Sequence, residues 1–328
     1  MSARIRLLLL LQMLILTAAA TAQDRAAGPW WPHPLWGAED QAGGSNWITP
    51  DKILQAAQLV TTGKLYELGQ VYEADMPLFG NRTYAMHIPG SPTGGPVGDN
   101  QLVWHDEFFC GEIGQIGTQF DGPGHIGTML TMADGTSQEV FYNGFTMEEV
   151  GGTYGLRQLG VEHIKPIFTR GILIDIASEK GVDALDHSYE VTVADVRAAL
   201  SRQGMSEDDL LAGDAIFFRY GWSIHWRDHD KYNTNPPGIG LEVAAWLIEH
   251  QPSMIGSDHW STEVIPNPDP TLAFPVHQEI ITKAGIWNLE NMVYDGLAQD
   301  EVYEFLFVFA PTPYKGATGS PGRPIAIR

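Results

Sequence analysis

Helical periodicity recurs at four places along the chain. Thr49 is a predicted N-cap with Pro50 at the first helical position, and one apolar face continues towards a stop at Gly63. A second helix opens at Thr192, where Asp195 completes a capping-box-like pattern. Besides the helix that begins at Pro50, the predicted helices cover residues 192–204, 240–251 and 276–285.

Short apolar runs of strand character separate these helices. They predict strands at residues 171–177, 214–222, 252–260 and 301–311, whereas the Pro/Gly-rich segment 89–98 predicts a loop. Alternation of strands with helices is typical of an α/β fold, here with mixed pairing in the sheet. Because the sequence shows no repeat and no convincing linker, we expect a single domain.

The first 22 residues resemble a targeting segment. Arg4 and Arg6 precede an apolar run, and small residues lie before Gln23 at a predicted cleavage site. The run is too short to span a bilayer comfortably. We therefore expect a cleaved signal peptide at residues 1–22, a mature domain at 23–328, and a periplasmic or secreted protein with no membrane association after cleavage.

Charge and cysteine content exclude several function classes. The formal net charge is −21, which argues against nucleic acid and anionic membrane surfaces as partners. A single cysteine, Cys110, excludes an intrachain disulfide. Its neighbours are apolar and include no adjacent base, so the sequence predicts a buried structural thiol rather than a nucleophile.

The stretch "QIGTQFDGPGHIG", residues 115–127, carries the candidate chemistry. Gln115, Gly117, Gln119 and Asp121 alternate, so on an extended chain they share one face. A turn at the following proline and glycine allows His125 to swing back towards that face. A converging aspartate and histidine is the minimum for a metal ligand and a proton shuttle. Spacing alone equally allows a Gly/Pro turn with a solvated aspartate.

The same stretch resembles the signature H-x-G-T-H-x-D-x-P-x-H of the cyclase family of metal-dependent hydrolases, which includes bacterial kynurenine formamidase and isatin hydrolase. Here the sequence reads Q-I-G-T-Q-F-D-G-P-G-H. Further family-like segments are "WGAEDQAGGSNWITPDK", "DMPLFGNR", "FYNG" and "GATGSPGRPIAI". The resemblance implies a swivelling β/β/α fold and subunits arranged as homodimers or homotetramers.

The resemblance also implies a metal site. Asp121, His277 and Glu290 occupy the positions of family ligands and would hold one divalent ion, Zn²⁺ or Mn²⁺. The pocket for a second ion carries Gln115 and Gln119 where the family has histidines. A carboxamide oxygen is a far weaker ligand than imidazole, so this second site should lose most of its zinc affinity.

The remaining roles follow from the same alignment of motifs. His125 matches the family's catalytic histidine and would move a proton. Gln115, Gln119 or Thr118 would hydrogen-bond a developing oxyanion or a water. Phe79 lies where the family places an aromatic residue on the substrate, and His259 follows an apolar strand, where functional side chains often lie.

Together these features predict a secreted metal-dependent hydrolase that opens an amide, cyclic amide or lactone of a small molecule, aromatic ones included. One alternative keeps the fold and changes the reaction to cyclisation, dehydration or lactone opening. Another is a periplasmic small-molecule binding protein without catalysis. The joint presence of Asp121, His125, His277 and Glu290 favours the enzymes, because a binding protein has no need for all four.

Overall fold

The computed structural model describes residue 25 and residues 27–328, so the predicted signal peptide lies outside the described residues. None of the described helices is long and apolar enough to cross a membrane. In chain order the described strands are β1 (Leu65–Glu67), β2 (Tyr84–His87), β3 (Gly94–Val97), β4 (Leu102–Trp104), β5 (Phe108–Gly111), β6 (Gln119–Asp121), β7 (Thr128–Thr131), β8 (Ser137–Val140), β9 (Ile167–Asp175), β10 (Glu190–Val191), β11 (Ala215–Arg219), β12 (Gly238–Ile239), β13 (Met254–Ser257), β14 (Trp287–Glu290), β15 (Glu304–Phe309), β16 (Gly319–Pro321) and β17 (Ile325–Ile327).

The described helices are short. They are α1 (Pro50–Ala57), α2 (Met147–Val150), α3 (Ile176–Lys180), α4 (Val193–Arg202), α5 (His229–Asn233), α6 (Leu241–His250), α7 (Pro275–His277) and α8 (Asp295–Gln299), and α7 continues as a π-helix, Gln278–Lys283. Short 3-10 turns lie at Gly43–Trp47, Tyr142–Gly144, Val161–His163, Glu207–Asp209 and Trp222–His225.

A nine-stranded mixed sheet forms the core, in the order β1-β17-β15-β9-β11-β13-β14-β6-β16. The central strands β9, β11, β13 and β14 run parallel, and β15 and β6 pair antiparallel on either side of them. Side chains of β11, β13 and β14 are buried almost throughout, as expected for parallel strands covered on both faces. The predicted α/β fold with mixed pairing is confirmed.

Each predicted helix is present, but α1 ends at Ala57, short of the stop predicted at Gly63. The Thr49 hydroxyl accepts the backbone N–H of Lys52, and Thr192 with Asp195 forms the predicted capping box of α4. The last predicted helix differs: it begins at Pro275, and after one turn its hydrogen bonding changes to the π type. Insertions of this kind are frequent near functional sites, and His277 lies at the transition.

The predicted strands are present with shorter or shifted ends. The strand expected at residues 171–177 is β9, which ends at Asp175 because the carboxylate of Asp175 caps α3. The segment 89–98 was expected to be a loop, but its last residues form β3. That prediction failed because a glycine- and proline-rich strand paired with only one neighbour carries no apolar alternation.

Residues 83–112, here called the arm, lie outside the main sheet. They contain two hairpins, β2 with β5 and β3 with β4, each a separate two-stranded sheet. Cys110 lies on β5 and is exposed, so the prediction of a buried thiol was wrong. The side chains alternate along β5: Phe108 is exposed like Cys110, whereas Phe109 is half-buried and packs against the core.

Candidate metal centre and substrate cavity

The signature segment reaches the core through a backbone turn that only glycine adopts easily. Gly117 has φ of +58°, and a Cβ built on it would lie 2.4 Å from the ring of Tyr72. The chain then enters β6, which carries Gln119 and Asp121 on one face. His125 follows after a turn closed by its N–H, which donates to the Gly122 carbonyl at 3.1 Å.

Pairing of β6 with β14 brings the predicted metal ligands together. The antiparallel register places Gln119 opposite Glu290 and Asp121 opposite Asn288. Ligand atoms of Asp121, His277 and Glu290 all lie within 4.8 Å of one another, and all three side chains are buried. Nε2 of His277 is 3.3 Å from Oε1 of Glu290 and 3.7 Å from Oδ2 of Asp121.

Glu263 fixes the orientation of His277. One of its carboxylate oxygens lies 2.5 Å from Nδ1 of His277 and accepts the backbone N–H of His277 at 3.1 Å. The other accepts the N–H of Val276 at 3.2 Å. With Nδ1 occupied in this way, Nε2 faces the two carboxylates. A carboxylate on the far nitrogen is the usual partner of a metal-binding histidine.

The electrostatics of the cluster fit a cation. Burial and the neighbouring charge of Asp121 raise the pKa of Glu290, an effect that His277 partly offsets. Burial alone would lower the pKa of His277, but Glu263 and Glu290 outweigh it and raise this pKa above the ordinary range. The cluster thus favours a positive charge at Nε2, and a divalent ion held by these residues would supply it in place of the proton.

Side-chain amides hold the two carboxylates in place. Nδ2 of Asn288 donates to Asp121 at 3.1 Å and to Glu290 at 2.9 Å, while its oxygen accepts the Thr262 hydroxyl at 2.9 Å. Nε2 of Gln119 donates to Oε2 of Glu290 at 3.0 Å. Gln119 therefore orients a candidate metal ligand through its amide N–H.

Two polar groups at the site have no partner among the described residues. Both the oxygen and the nitrogen of the Gln115 carboxamide are buried without a hydrogen bond, and so is Oδ1 of Asp121. Gln115 lines the site cavity. Because an unpaired buried polar group is costly, a bound water or ligand is needed to complete the hydrogen bonding of these atoms.

His125 faces the unpartnered oxygen of Asp121. Its Nε2 lies 3.6 Å from Oδ1 of Asp121. Burial lowers the pKa of His125, against the opposing effect of Asp121, and the nearby charges of His277 and Arg82 lower it further. His125 is therefore neutral at neutral pH and has a free nitrogen with which to accept a proton.

The cavity beside these groups measures about 130 Å³ and has an aromatic wall. Phe79 stacks on Trp260 with ring centroids 3.9 Å apart. The Phe274 ring is tilted against Trp260, with a centroid distance of 6.3 Å. The Arg82 guanidinium lies 5.4 Å from the centroid of the Phe79 ring. The cavity is lined by Phe79, Arg82, Gln115, Gln119, His125, Ile126, Trp260, Phe274, His277 and Glu290.

Two predicted site residues are placed elsewhere. The Thr118 hydroxyl accepts the N–H of Gln70 at 2.7 Å and donates to the Asn291 carbonyl at 2.8 Å, so it ties segments together behind the site. Nδ1 of His259 accepts the N–H of Ser261 at 3.1 Å, and burial lowers the pKa of His259 to about 3. The next residue along the chain, Trp260, lines the cavity instead.

Several residues of the site were missed by reasoning from sequence. Glu263 and Asn288 act through their neighbours, and no motif marks them. Trp260 and Arg82 were within reach of the sequence: Trp260 follows His259 and therefore takes the other side of an extended chain, and Arg82 is the last residue of the family-like "DMPLFGNR" segment.

Comparison with known proteins shows the family of this chain. The family model described as "Putative cyclase" matches residues 66–264, more than half of the chain. The chain belongs to the cyclase family. Membership supports a metal-dependent, hydrolase-like enzyme, and the buried Asp121, His277 and Glu290 form a possible site for the metal. A comparison with curated protein sequences finds no match.

Solved structures share the fold. A novel cyclase is 29% identical with a TM-score of 0.76, over 89% of this chain and 98% of that one. Isatin hydrolase A from Ralstonia solanacearum is 21% identical with a TM-score of 0.61, over 85% and 98% of the two chains. An isatin hydrolase bound to the product analogue thioisatinate is 16% identical with a TM-score of 0.55, over 85% and 98%.

Proposed function

We propose that this cyclase-family protein is a hydrolase that opens an amide, cyclic amide or lactone of a small molecule. One observation carries the proposal. The buried ligand set of Asp121, His277 and Glu290 adjoins a cavity into which the unpartnered carboxamide of Gln115 is built. Ligands for an ion and a free hydrogen-bonding group on the same cavity are what hydrolysis of a carbonyl compound requires.

In the proposed hydrolysis, each side chain at the site has a separate role. A divalent ion held by Asp121, His277 and Glu290 would supply Lewis-acid chemistry, acidifying a water and polarising a carbonyl. Neutral His125 accepts the proton of the attacking water and returns it to the leaving nitrogen or oxygen. The Gln115 amide donates to the oxyanion that develops on the carbonyl. Gln119 and Asn288 keep the carboxylates fixed.

We propose one bound ion per chain, Zn²⁺ or Mn²⁺. All three ligands would be used by that ion, and Glu263 would set the histidine tautomer that binds it. At the neighbouring position the chain offers carboxamides, of which Gln119 is already committed to Glu290. The donors left there are too weak to hold zinc tightly.

Activity screening with a ligand variant tests this function. Formyl-amides, isatin-like rings and lactones are incubated with the wild-type protein and with Asp121→Ala, and products are identified by mass spectrometry. We expect hydrolysis of at least one class by the wild type and none by the variant, while Asp134→Ala, on an exposed turn, retains activity.

Two other outcomes would favour the alternative functions. Tight binding without turnover that survives Asp121→Ala would favour a binding protein, and a cyclised or dehydrated product would favour the alternative reaction.

We also propose the setting in which the protein works. The targeting segment at residues 1–22 supports a periplasmic or secreted location, and the acidic net charge of −21 supports small molecules rather than nucleic acid or membranes as partners. The exposed apolar arm supports assembly into a homodimer or homotetramer.

A further inference from the structure

Arg82 stands apart from the other charged groups of the site. It lines the cavity, and within the described residues its guanidinium makes no hydrogen bond and no ion pair. Other arginines of this acidic chain do have carboxylate partners, among them Arg170, Arg197 and Arg219. Arg82 is thus a cation with a free face at the cavity.

The charge of Arg82 acts on the catalytic groups without neutralising any of them. It contributes to the lowered pKa of His125 and opposes the raised pKa of Glu290. Glu290 and Asp121 are occupied by the metal position and by Asn288. The charge of Arg82 also helps to lower the pKa of the nearby Glu112, but the hydrogen bonds of Glu112 go to the N–H and the hydroxyl of Thr83. The guanidinium therefore remains available to an anion that enters from solution.

The aromatic wall restricts the shape of such an anion. The Arg82 guanidinium lies over Phe79, and Phe79 is stacked on Trp260. The cavity of about 130 Å³ is close to the size that holds a single benzene ring in a protein interior. A guanidinium group binds a carboxylate through two parallel hydrogen bonds. Arg82 should therefore bind a carboxylate better than an anion that can form only one such bond.

We propose that the substrate is a single-ring aromatic carboxylate. Its carboxylate pairs with Arg82, its ring packs against Phe79 and Trp260, and its amide or ester carbonyl is directed to Gln115 and the metal ligands. The part of this proposal that concerns the reacting carbonyl rests on the function proposed above, whereas the anion site stands on Arg82 and the aromatic wall alone.

Calorimetry with a matched pair of probes tests the anion site. Benzoate and benzamide have the same ring and size but differ in charge, and each is titrated into the metal-loaded wild type, Arg82→Gln and Arg82→Lys. We expect the wild type to prefer benzoate at least tenfold. In Arg82→Gln the affinities for benzoate and benzamide should differ by less than twofold, because benzoate binding weakens while benzamide binding is unchanged. Arg82→Lys should retain part of the preference for benzoate. Arg197→Gln, an exposed arginine on α4, serves as the control and behaves as wild type.

Two outcomes would overturn the assignment: an undiminished benzoate preference in Arg82→Gln, and no benzoate preference in the wild type. If the first outcome comes with loss of the preference in His277→Ala, the carboxylate binds at the metal position and the proposed hydrolase remains intact. The opposite combination is also informative. If the protein binds no metal and Arg82→Gln still loses the benzoate preference, the anion site is supported and the hydrolase is refuted. Thermal unfolding of each variant confirms that the variants fold.

Discussion

At the scale of single residues, the two glutamines of the signature have different tasks. Gln119 donates to Glu290 and so belongs to the support of the metal position. Gln115 has an unpaired buried carboxamide beside the cavity. We therefore propose that glutamine in place of histidine gives one group that supports the metal position and one group that contacts the substrate. His125 and Oδ1 of Asp121 remain beside them.

Restoring both histidines should restore a second ion. In the double variant Gln115→His with Gln119→His, imidazole nitrogens join the free Oδ1 of Asp121, and nitrogen ligands bind zinc far better than carboxamide oxygens. We expect elemental analysis to find about two zinc ions per chain in place of one. Gln101→His, on the exposed arm, adds a histidine elsewhere and should leave the content at one. A double variant that still binds one ion contradicts this account of the glutamines.

How far sequence predicts the site depends on how each residue acts. Spacing and the turn between them make Asp121 and His125 candidates, and the resemblance to a family favours them over a solvated turn. His277 and Glu290 lie far along the chain, and only resemblance to a family links them to Asp121. Glu263 could not be predicted, because only the folded chain brings it next to the helical turn that carries His277. Residues that act through another side chain leave no local pattern.

At the scale of elements, capping and burial patterns locate helices and strands well, and the site arises where their ends meet. Thr192 and Asp195 mark α4 as predicted. The register between β6 and β14, by contrast, is a long-range pairing, and it alone places Gln119 opposite Glu290. Ends of β11 and β13 are joined by Asp258, whose carboxylate accepts the N–H of Tyr220 at 3.0 Å.

Asp258 should make stability depend on pH. Burial raises the pKa of Asp258 to about 7, although Tyr220 and Arg219 act against the increase. In the unfolded chain the pKa is about 4, so between these values the unfolded state loses a proton that the folded state keeps. The folded state is therefore favoured least above about pH 7, and stability falls as pH rises from about 4 to 7.

Urea denaturation of wild type and Asp258→Asn at pH 5 and pH 8 measures this effect. The stability of Asp258→Asn relative to wild type should be greater at pH 8 than at pH 5, by up to about 3 kcal/mol. Any constant cost of the amide cancels in that comparison. Asp99→Asn, on the exposed arm, provides the control. Equal differences at the two pH values would show that Asp258 is ionised in the folded protein throughout this range.

At the scale of the whole molecule, the arm is the part of the structure that lies outside the main sheet and is not stabilised by it. A two-stranded hairpin is marginal by itself, and open strand edges favour pairing with another chain. The arm also carries large exposed apolar side chains: Met86, Ile88, Val97, Leu102, Val103, Trp104 and Phe108. Both ends of the arm adjoin the cavity, through Arg82 and Gln115. A second copy that covered the arm would therefore lie near the mouth of the site.

Charge on the arm should break the assembly. We expect the wild type to elute with the mass of two or four chains in size-exclusion chromatography with light scattering. Val103→Glu combined with Phe108→Glu should yield single chains, because two carboxylates in an apolar interface are costly to desolvate. Val71→Glu, an exposed valine before the arm, should leave assembly unchanged. A monomeric wild type, or an assembled double variant, would contradict the proposal.

Metal content tests the central claim most directly. The mature protein is purified without added metal or chelator, and its zinc and manganese are measured by elemental analysis beside His277→Ala and the exposed-site control His163→Ala. The account predicts about one ion per chain in the wild type and the control, and loss of the ion in His277→Ala. Absence of metal even after incubation with zinc and manganese, or full metal content in His277→Ala, would contradict it.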